Sequence, residues 1–585
     1  MASPSKGGHT PRTAVPHRAG LQGLTLLPFA PLLTVAILLL PVGAGLAGVV
    51  APAFGWFPAL GGTALSLDPW RALLAWPGFS SAVWLSVTTG LGATLISLVV
   101  TIMICAAWQG TRAFALIERA LSPLLSVPHA AAAFGLAFLI APSGWISRAL
   151  SPWATGWTQA PDILITQDPN GFALMAGLIV KEVPFLLLMT LAALGQVPAR
   201  RSVLMAQTMG YGRMTGWVLT VFPRIYPQIR LPVYAVLAYS CSVIDVALIL
   251  GPTRPSTLAV QVLAWLSDPN LSLRFQAAAG ALVQLALVLG LLALWRLGEY
   301  AAMRTGCRLL FMGQRLARDG IMRAVSLMLA AIMVLAVGLG ILGLAVWSVA
   351  GFWAFPDVLP DQVTWRNWLR QSGGLSRIAV ETAVIGAASV LVSLVLTIAC
   401  LEAEYRHRLR QSHRALWLLY LPLIVPQATF LIGLQTLAIG SGLTGMRAAV
   451  IAAHVIFVLP YVFLSLSDPW RAWDARQGLV ASSLGAGAGR VLWRVRLPML
   501  LRPVLVAAAV GFAVSVGQYL PTLLIGMGRV TTLTTEAVAL SSGGDRRLIG
   551  VYALSQTVMP LVGFALALGL PALLYRNRRS MLDRS

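Results

Sequence analysis

The chain has 585 residues, of which 58% are apolar and only 10% are charged, and its mean hydropathy is +0.81. Soluble globular proteins carry roughly 25% charged residues, so this composition predicts a protein embedded in the lipid bilayer and excludes an ordinary soluble enzyme. The formal net charge of +23 does not indicate a nucleic-acid partner, because the basic residues are scattered singly and form no basic stripe.

Twelve apolar segments are long enough to cross the bilayer as helices of about 20 residues. Six fall in the first half of the chain, at 25–51, 82–107, 121–142, 172–194, 231–252 and 275–297. Six fall in the second half, at 325–352, 380–402, 416–438, 448–466, 503–526 and 551–575. The sequence therefore predicts an all-α polytopic membrane protein built from two six-helix repeats.

The distribution of basic residues predicts the orientation of these helices. Lys6, Arg12 and Arg18 precede the first apolar segment, and most of the 42 Lys and Arg residues fall in the loops on that same side of the membrane. By the positive-inside rule, both termini are cytoplasmic. An even number of helices in each half makes the repeats parallel. We therefore expect a first half at 1–298, a cytoplasmic linker at 299–323 and a second half at 324–585.

Several kinds of active site are missing from the sequence. The two lysines, Lys6 and Lys181, do not end a GxxxxGK[ST] loop, so the chain cannot build a Walker A phosphate cradle. The four cysteines have no metal-ligand spacing, and no HExxH motif or nucleophile elbow occurs. We expect no cofactor, no metal and no catalytic site, and any ATP hydrolysis would belong to a separate polypeptide.

One polar segment occurs twice, as LMAQTMGYGRMTGWVLTVFP at 204–223 and LVASSLGAGAGRVLWRVRLP at 479–498. Both copies lie between the fourth and fifth predicted helices of their half, on the predicted cytoplasmic side. They share five positions at a constant offset of 275 residues, namely Leu204/Leu479, Ala206/Ala481, Gly210/Gly485, Gly212/Gly487 and Pro223/Pro498. We expect a short helix, a corner at which the glycine adopts a positive φ, and a second helix that ends at the proline. The alternative is a plain solvated connector, which does not explain the shared spacing.

This pattern resembles the EAA loop of permease subunits in binding-protein-dependent ABC importers. The alanine, glycine and proline of that motif match, whereas Leu204 and Leu479 replace its glutamate. The resemblance covers nearly the whole chain. The chain is similar to fused twelve-helix permeases of thiamine, ferric-iron and putrescine importers. It implies a type I importer fold in a bacterial inner membrane, with two copies of a separate ATP-binding subunit docked on the loops. It also implies an extracytoplasmic solute-binding protein, and the segment 533–554 looks most like the thiamine- and iron-related branch.

Ionisable residues inside predicted spanning helices are the candidates for the translocation path. Lys181 and Glu182 lie in the fourth helix and Asp245 lies in the fifth, while Gln518 and Tyr519 are the polar residues at the matching place in the second half. Charges at this depth are costly, so they face a cavity or a partner. The alternative is a structural role, with one of Lys181 and Glu182 paired across helices and the other near an inner cavity. Asp245 would then bond to the backbone or an arginine of a neighbouring helix.

Two other classes of protein remain open at this stage. A secondary transporter also uses repeats and intramembrane charges, but it has no need of paired docking loops. A membrane enzyme is disfavoured because the sequence shows no metal or nucleophile site.

Overall fold

The computed structural model describes residues 27–312, 315, 317–409 and 413–574, and these residues form helices joined by short loops. The first half contains thirteen helices: α1 Ala30–Ala53, α2 Asp68–Ala75, α3 Phe79–Trp108, α4 Arg112–Ser126, α5 His129–Ile140, α6 Trp145–Leu150, α7 Phe172–Leu194, α8 Ala199–Thr208, α9 Arg213–Thr220, α10 Phe222–Ser242, α11 Asp245–Leu250, α12 Leu258–Leu266 and α13 Leu273–Phe311.

The second half repeats this order from α14 to α25. Its helices are α14 Gly320–Val349, α15 Arg366–His407, α16 His413–Ile424, α17 Gln427–Gly440, α18 Arg447–Arg471, α19 Ala475–Ser483, α20 Ala488–Val491, α21 Leu497–Met499, α22 Leu501–Val516, α23 Leu520–Gly526, α24 Leu533–Ser541 and α25 Arg546–Leu574. A π-helical turn, Leu492–Arg496, joins α20 to α21. The prediction of an all-α polytopic fold is confirmed.

Nine helices in the described part of the chain are long and apolar enough to cross a membrane, and eleven do so if each of two bent pairs counts as one span. The sequence predicted twelve. The segment that does not qualify is 231–252, because α10 stops at Ser242 and the chain is extended at Val243 before α11 begins at Asp245. The segment 503–526 is likewise interrupted, between α22 and α23.

The third predicted helix of each half is also broken, and proline explains both breaks. In the first half the break lies at Val127 and Pro128, and in the second half α16 and α17 meet at Pro426 with a bend of 85°. The residue before a proline is pushed out of the helical region, so an apolar run continues there while the helix does not. Backbone groups freed at such a break need partners inside the protein.

The two halves pack on each other in a reciprocal way. Helix α1 of the first half lies against α17, and α14 of the second half lies against α5. Glycines allow both contacts, since a Cβ on Gly48 would lie 2.9 Å from the Gly433 carbonyl oxygen and a Cβ on Gly135 would lie 2.9 Å from Gly340. Small residues at such crossings let helix backbones approach closely. Each half therefore covers the broken helix of the other.

The predicted linker at 299–323 is shorter in the structure. Helix α13 continues to Phe311 and α14 begins at Gly320, so most of the predicted linker is helical. Glu299 near the end of α13 pairs with Arg230 of α10 at 3.2 Å, which holds this extension against the body of the protein. The predicted cytoplasmic termini concern residues 1–26 and 575–585, which lie outside the described residues.

Candidate translocation path and repeated loops

The first repeated loop, residues 199–223, folds as two short helices around a glycine corner. Helix α8 ends at Thr208, Gly210 has φ +87°, and α9 begins at Arg213. Only glycine adopts this backbone region freely, so the sequence prediction for Gly210 is confirmed. Ala206 is buried against Gly216 of α9, which closes the angle between the two helices.

The second repeated loop, residues 475–498, has the same corner. Helix α19 is capped by the Asp474 carboxylate, which accepts a hydrogen bond from the Arg476 backbone N–H at 3.0 Å. Gly485 then has φ +84°, as predicted, and α20 and the π turn follow. Ala481 is only partly buried, so the second corner is less tightly packed than the first.

The predicted role of the prolines as helix ends is wrong. Pro223 stands in the first turn of α10, where its missing N–H costs nothing, and therefore begins a helix. Pro498 lies inside the short α21, just before a bend of 75° that leads into α22.

Each repeated loop exposes large apolar side chains at matching positions, and at three of these positions both copies are more than half exposed. These six side chains are 53% to 83% exposed and are separated by the same offset of 275 residues: Leu204, Met205 and Met209 in the first loop, and Leu479, Val480 and Leu484 in the second. We call these sets the apolar triplets.

A cluster of polar residues lies where the broken helices meet, near the middle of the spans. The His129 Nε2 atom is 3.5 Å from Glu182 Oε1, and the His129 ring lies 5.0 Å from the ring of Tyr239. Asp245, the first residue of α11, interacts electrostatically with His129, Tyr239 and Tyr519. We call His129, Glu182, Tyr239, Asp245 and Tyr519 the central cluster.

The members of the central cluster differ in exposure. Glu182 and Asp245 are buried, whereas His129 keeps 39% of its side chain exposed and Tyr239 and Tyr519 are partly exposed. The two carboxylates are thus buried beside an imidazole and two phenol rings that keep part of their surface exposed. Of the predicted path residues, Glu182, Asp245 and Tyr519 fall in this cluster, and their part in a path stays a prediction.

Lys181 points elsewhere. Its ammonium donates hydrogen bonds to the backbone carbonyls of Leu124 at 2.9 Å and Val127 at 2.6 Å, at the end of α4. These carbonyls are left without helical partners by the break, so Lys181 satisfies them. This geometry supports the structural alternative for Lys181, because the hydrogen bonds of its ammonium go to backbone carbonyls.

The second half contributes mainly neutral groups. The Gln518 carbonyl accepts a hydrogen bond from the Thr522 hydroxyl at 3.3 Å, and Thr522 also lies 2.8 Å from Nε2 of the buried His454. The Nδ1 atom of His454 is 2.8 Å from the Ser515 hydroxyl. This network fixes the break between α22 and α23 on which Gln518 and Tyr519 lie.

Sequence reasoning did not single out His129 or His454. The signal for His129 was its place directly after Pro128, where a helix break brings side chains into the interior. In the part of the chain that the structure describes, no group of three or more His, Cys, Asp or Glu residues could hold a metal ion.

Comparison with known proteins gives one relative that covers most of the chain. It is 34% identical over 507 residues to the inner membrane ABC transporter permease protein YnjC of Escherichia coli, which is 86% of this chain and 90% of that protein. No family model matches the chain, and no solved structure matches it.

Two other relatives match about a third of the chain or less. The molybdenum transport system permease protein ModB of Mycobacterium tuberculosis is 34% identical over 201 residues, 31% of this chain and 75% of that protein. The spermidine/putrescine transport system permease protein PotC of Haemophilus influenzae is 24% identical over 151 residues, 26% of this chain and 59% of that protein.

Proposed function

Because this chain belongs to the permease subunits of ABC transporters, we propose that its central cluster lines the route of the transported solute and that its two repeated loops dock ATP-binding subunits. The chain is an inner-membrane, multi-pass importer permease for a small solute. In this proposal one chain supplies both halves of the pathway. ATP hydrolysis takes place on a separate subunit, and a solute-binding protein delivers the cargo.

The charge of the central cluster supports a cationic cargo. Glu182 and Asp245 supply two carboxylates, and the Lys181 ammonium is engaged by backbone carbonyls. A cation that sheds its water near the middle of the membrane needs such compensation. The rings of Tyr239 and Tyr519 add faces that attract cations. The name of one relative gives spermidine and putrescine, which are cations and suit two carboxylates. Thiamine and ferric iron are also cations, whereas an oxyanion such as molybdate would be repelled.

The apolar triplets support docking of the same kind of ATP-binding subunit on both loops. The three matched apolar positions give both loops the same kind of exposed surface, which suits two identical partners. With leucine in place of the motif glutamate, the contact depends on apolar burial, and we expect docking to survive high salt.

Transport by purified components tests the proposal. The chain, its ATP-binding subunit and its binding protein are reconstituted in liposomes, and ATP-driven accumulation of thiamine, spermidine, ferric iron and molybdate is compared. Accumulation of one of the cations supports the proposal. Accumulation of molybdate alone would reject the cationic route, and uptake by the chain alone down an ion gradient would revive the secondary-transporter alternative.

Docking is tested separately by copurification of the ATP-binding subunit at low and high salt. We expect Leu484→Asp to weaken copurification, because it places a charge in the apolar contact. Ser483→Asp is the matched control, since it adds the same charge to the neighbouring residue without removing an apolar side chain. Equal loss in both variants would contradict an apolar docking surface.

A further inference from the structure

Arg496, the last residue of the π turn in the second repeated loop, is buried deeply for a charged residue. Its side chain is only 3% exposed. A guanidinium remains protonated in proteins, so this residue carries a full charge into the interior. Such a charge is tolerated only with a countercharge and hydrogen-bond acceptors.

Two long helices supply these partners. From α15, the Glu402 carboxylate, itself 5% exposed, accepts a hydrogen bond from the first terminal nitrogen of Arg496 at 3.0 Å. From the end of α18, the Trp470 carbonyl accepts one from the second terminal nitrogen at 3.0 Å. A single planar group therefore ties the repeated loop to both α15 and α18.

Aromatic rings surround the guanidinium on the same two helices and on the turn that follows α18. Its central carbon lies 4.2 Å from the ring centroid of Tyr405, 4.5 Å from that of Trp470 and 4.7 Å from that of Trp473. Cation–π contacts of this kind strengthen when water is excluded. We call Arg496, Glu402, Tyr405, Trp470 and Trp473 the arginine box.

Further ion pairs reinforce the box. The Arg471 guanidinium donates two hydrogen bonds to the Glu404 carboxylate at 3.0 and 2.9 Å, which joins the ends of α18 and α15. Arg406 donates to Glu402 at 2.7 Å and to the Ala488 carbonyl of α20 at 3.3 Å. The loop is thus bonded to α15 at two places.

The first repeated loop is held in a different way. Val221 stands 275 residues before Arg496, so the guanidinium has no counterpart there. Instead, the Trp217 indole N–H donates to the Gln109 side chain at 2.7 Å. The Met214 backbone N–H donates to Asp319, next to the start of α14, at 2.9 Å.

We propose that Arg496 is a positioning residue that locks the second repeated loop to the ends of α15 and α18, so that the three move as one rigid unit. The chain bends by 75° after α21 and then enters α22, which packs against both α15 and α18. A push on the loop therefore reaches α15 and α18 through the arginine box, and it reaches α22 along the chain through the bend. That a push starts at this loop rests on the proposed docking of the ATP-binding subunit. The lock, by which Arg496 holds the loop to α15 and α18, is a property of the chain alone.

The lock is tested by measuring a distance within the purified chain. In a variant without the four native cysteines, spin labels are attached at Ser483→Cys on α19 and His407→Cys on α15, both exposed positions. Pulsed electron resonance then gives the distribution of the distance between the labels. We expect a narrow distribution that is lost in Arg496→Met and kept in Arg494→Met. Arg494 is the matched control, because it is an exposed arginine in the same π turn.

A second variant separates positioning from folding. Arg496→Lys keeps the charge but lacks the planar fork that reaches Glu402 and the Trp470 carbonyl together, so we expect it to broaden the distribution as well. Variants are compared only at equal monodispersity and helix content. If Arg496→Met lowers the melting temperature while the distribution stays narrow, Arg496 is a packing residue and the proposal is overturned. If Arg496→Met is too unstable to purify, the Arg496→Lys distribution decides: a narrow one overturns the proposal.

Adding the ATP-binding subunit distinguishes this inference from the proposed function. Loss of the narrow distribution in Arg496→Met, without binding of that subunit to any variant, would support the lock and reject docking on this loop. Binding of that subunit, together with a distance distribution in Arg496→Met that stays narrow, would support docking on this loop and reject the lock.

Discussion

Lys181 and Glu182 are sequence neighbours, yet their side chains serve different parts of the molecule. Successive residues on a helix point about 100° apart, so one can face α4 while the next faces the interior. Lys181 satisfies the carbonyls of a broken helix, and Glu182 faces His129 across the central cluster. Charge inside this membrane protein thus has two uses, because Lys181 satisfies a broken backbone and Glu182 pairs with another side chain.

For Asp245, we predict that Asp245→Asn lowers uptake per folded transporter by about tenfold, the rate equivalent of about 1.4 kcal/mol. The substitution keeps the size of the side chain and removes the charge that would compensate a cationic cargo. We expect Glu182→Gln to have a smaller effect, because His129 already lies beside Glu182. Uptake is measured in proteoliposomes and divided by the amount of folded protein. Normal uptake per molecule for Asp245→Asn would remove this residue from the route.

For Lys181, we predict that a substitution lowers the stability of the protein and not its uptake per folded molecule. Lys181→Met leaves the carbonyls of Leu124 and Val127 without their donor, and an unsatisfied buried group costs about 1–3 kcal/mol. The amount of folded protein in the membrane and its melting temperature should fall, while uptake per folded molecule stays near the wild-type value. A loss of uptake at an unchanged melting temperature would place Lys181 on the route instead.

At the scale of the element, the glycine corners give a sharp test of the repeated loops. Gly485 has φ +84° and open space around its Cα, so a substitution there acts only through backbone strain. We predict that Gly485→Val impairs ATP-driven transport, because a left-handed conformation costs an L-residue roughly 1–2 kcal/mol and a β-branched residue more.

Gly485→Asn is the control for that prediction, since asparagine tolerates this backbone region. At Gly210, a Cβ would also approach the Arg315 side chain at 3.3 Å, so Gly210→Val adds crowding to strain. Membrane insertion is checked for each variant. Wild-type transport by both valine variants would show that the corners do not position a docking element.

The sequence was most informative where one local signal decides the structure. Apolar length placed α3 and α7, and repetition at a fixed offset placed Gly210 and Gly485 at their corners. Hydropathy does not register a break inside an apolar run, so the interruptions at Val127 and Val243 were missed. The contact between His129 and Glu182 joins residues 53 positions apart, and only packing of two helices brings them together.

At the scale of the whole molecule, each half packs a long helix against the broken helix of the other half. Helix α1 covers the broken helix of the second half, and α14 covers that of the first. The breaks supply the irregular backbone around the central cluster, and non-helical backbone at membrane depth is stable only when protein or a water-filled cavity surrounds it. The reciprocal contacts therefore do more than join the halves, because they protect the site that the breaks create.

Six predicted spans in each half give the two halves the same orientation in the membrane, and this predicts the topology of the whole chain. Both termini and the connection between α13 and α14 should be cytoplasmic, because the basic residues concentrate on that side.

Single cysteines are placed at Ser5, Ala317 and Ser585 in a background without the native cysteines, and intact cells are treated with a membrane-impermeant thiol reagent. We expect no labelling until the cells are opened. A cysteine in the loop between α1 and α2, such as Ser66→Cys, is the positive control, since that exposed loop lies at the opposite end of α1. Labelling of Ala317→Cys from outside would place the second half in the opposite orientation and contradict parallel repeats.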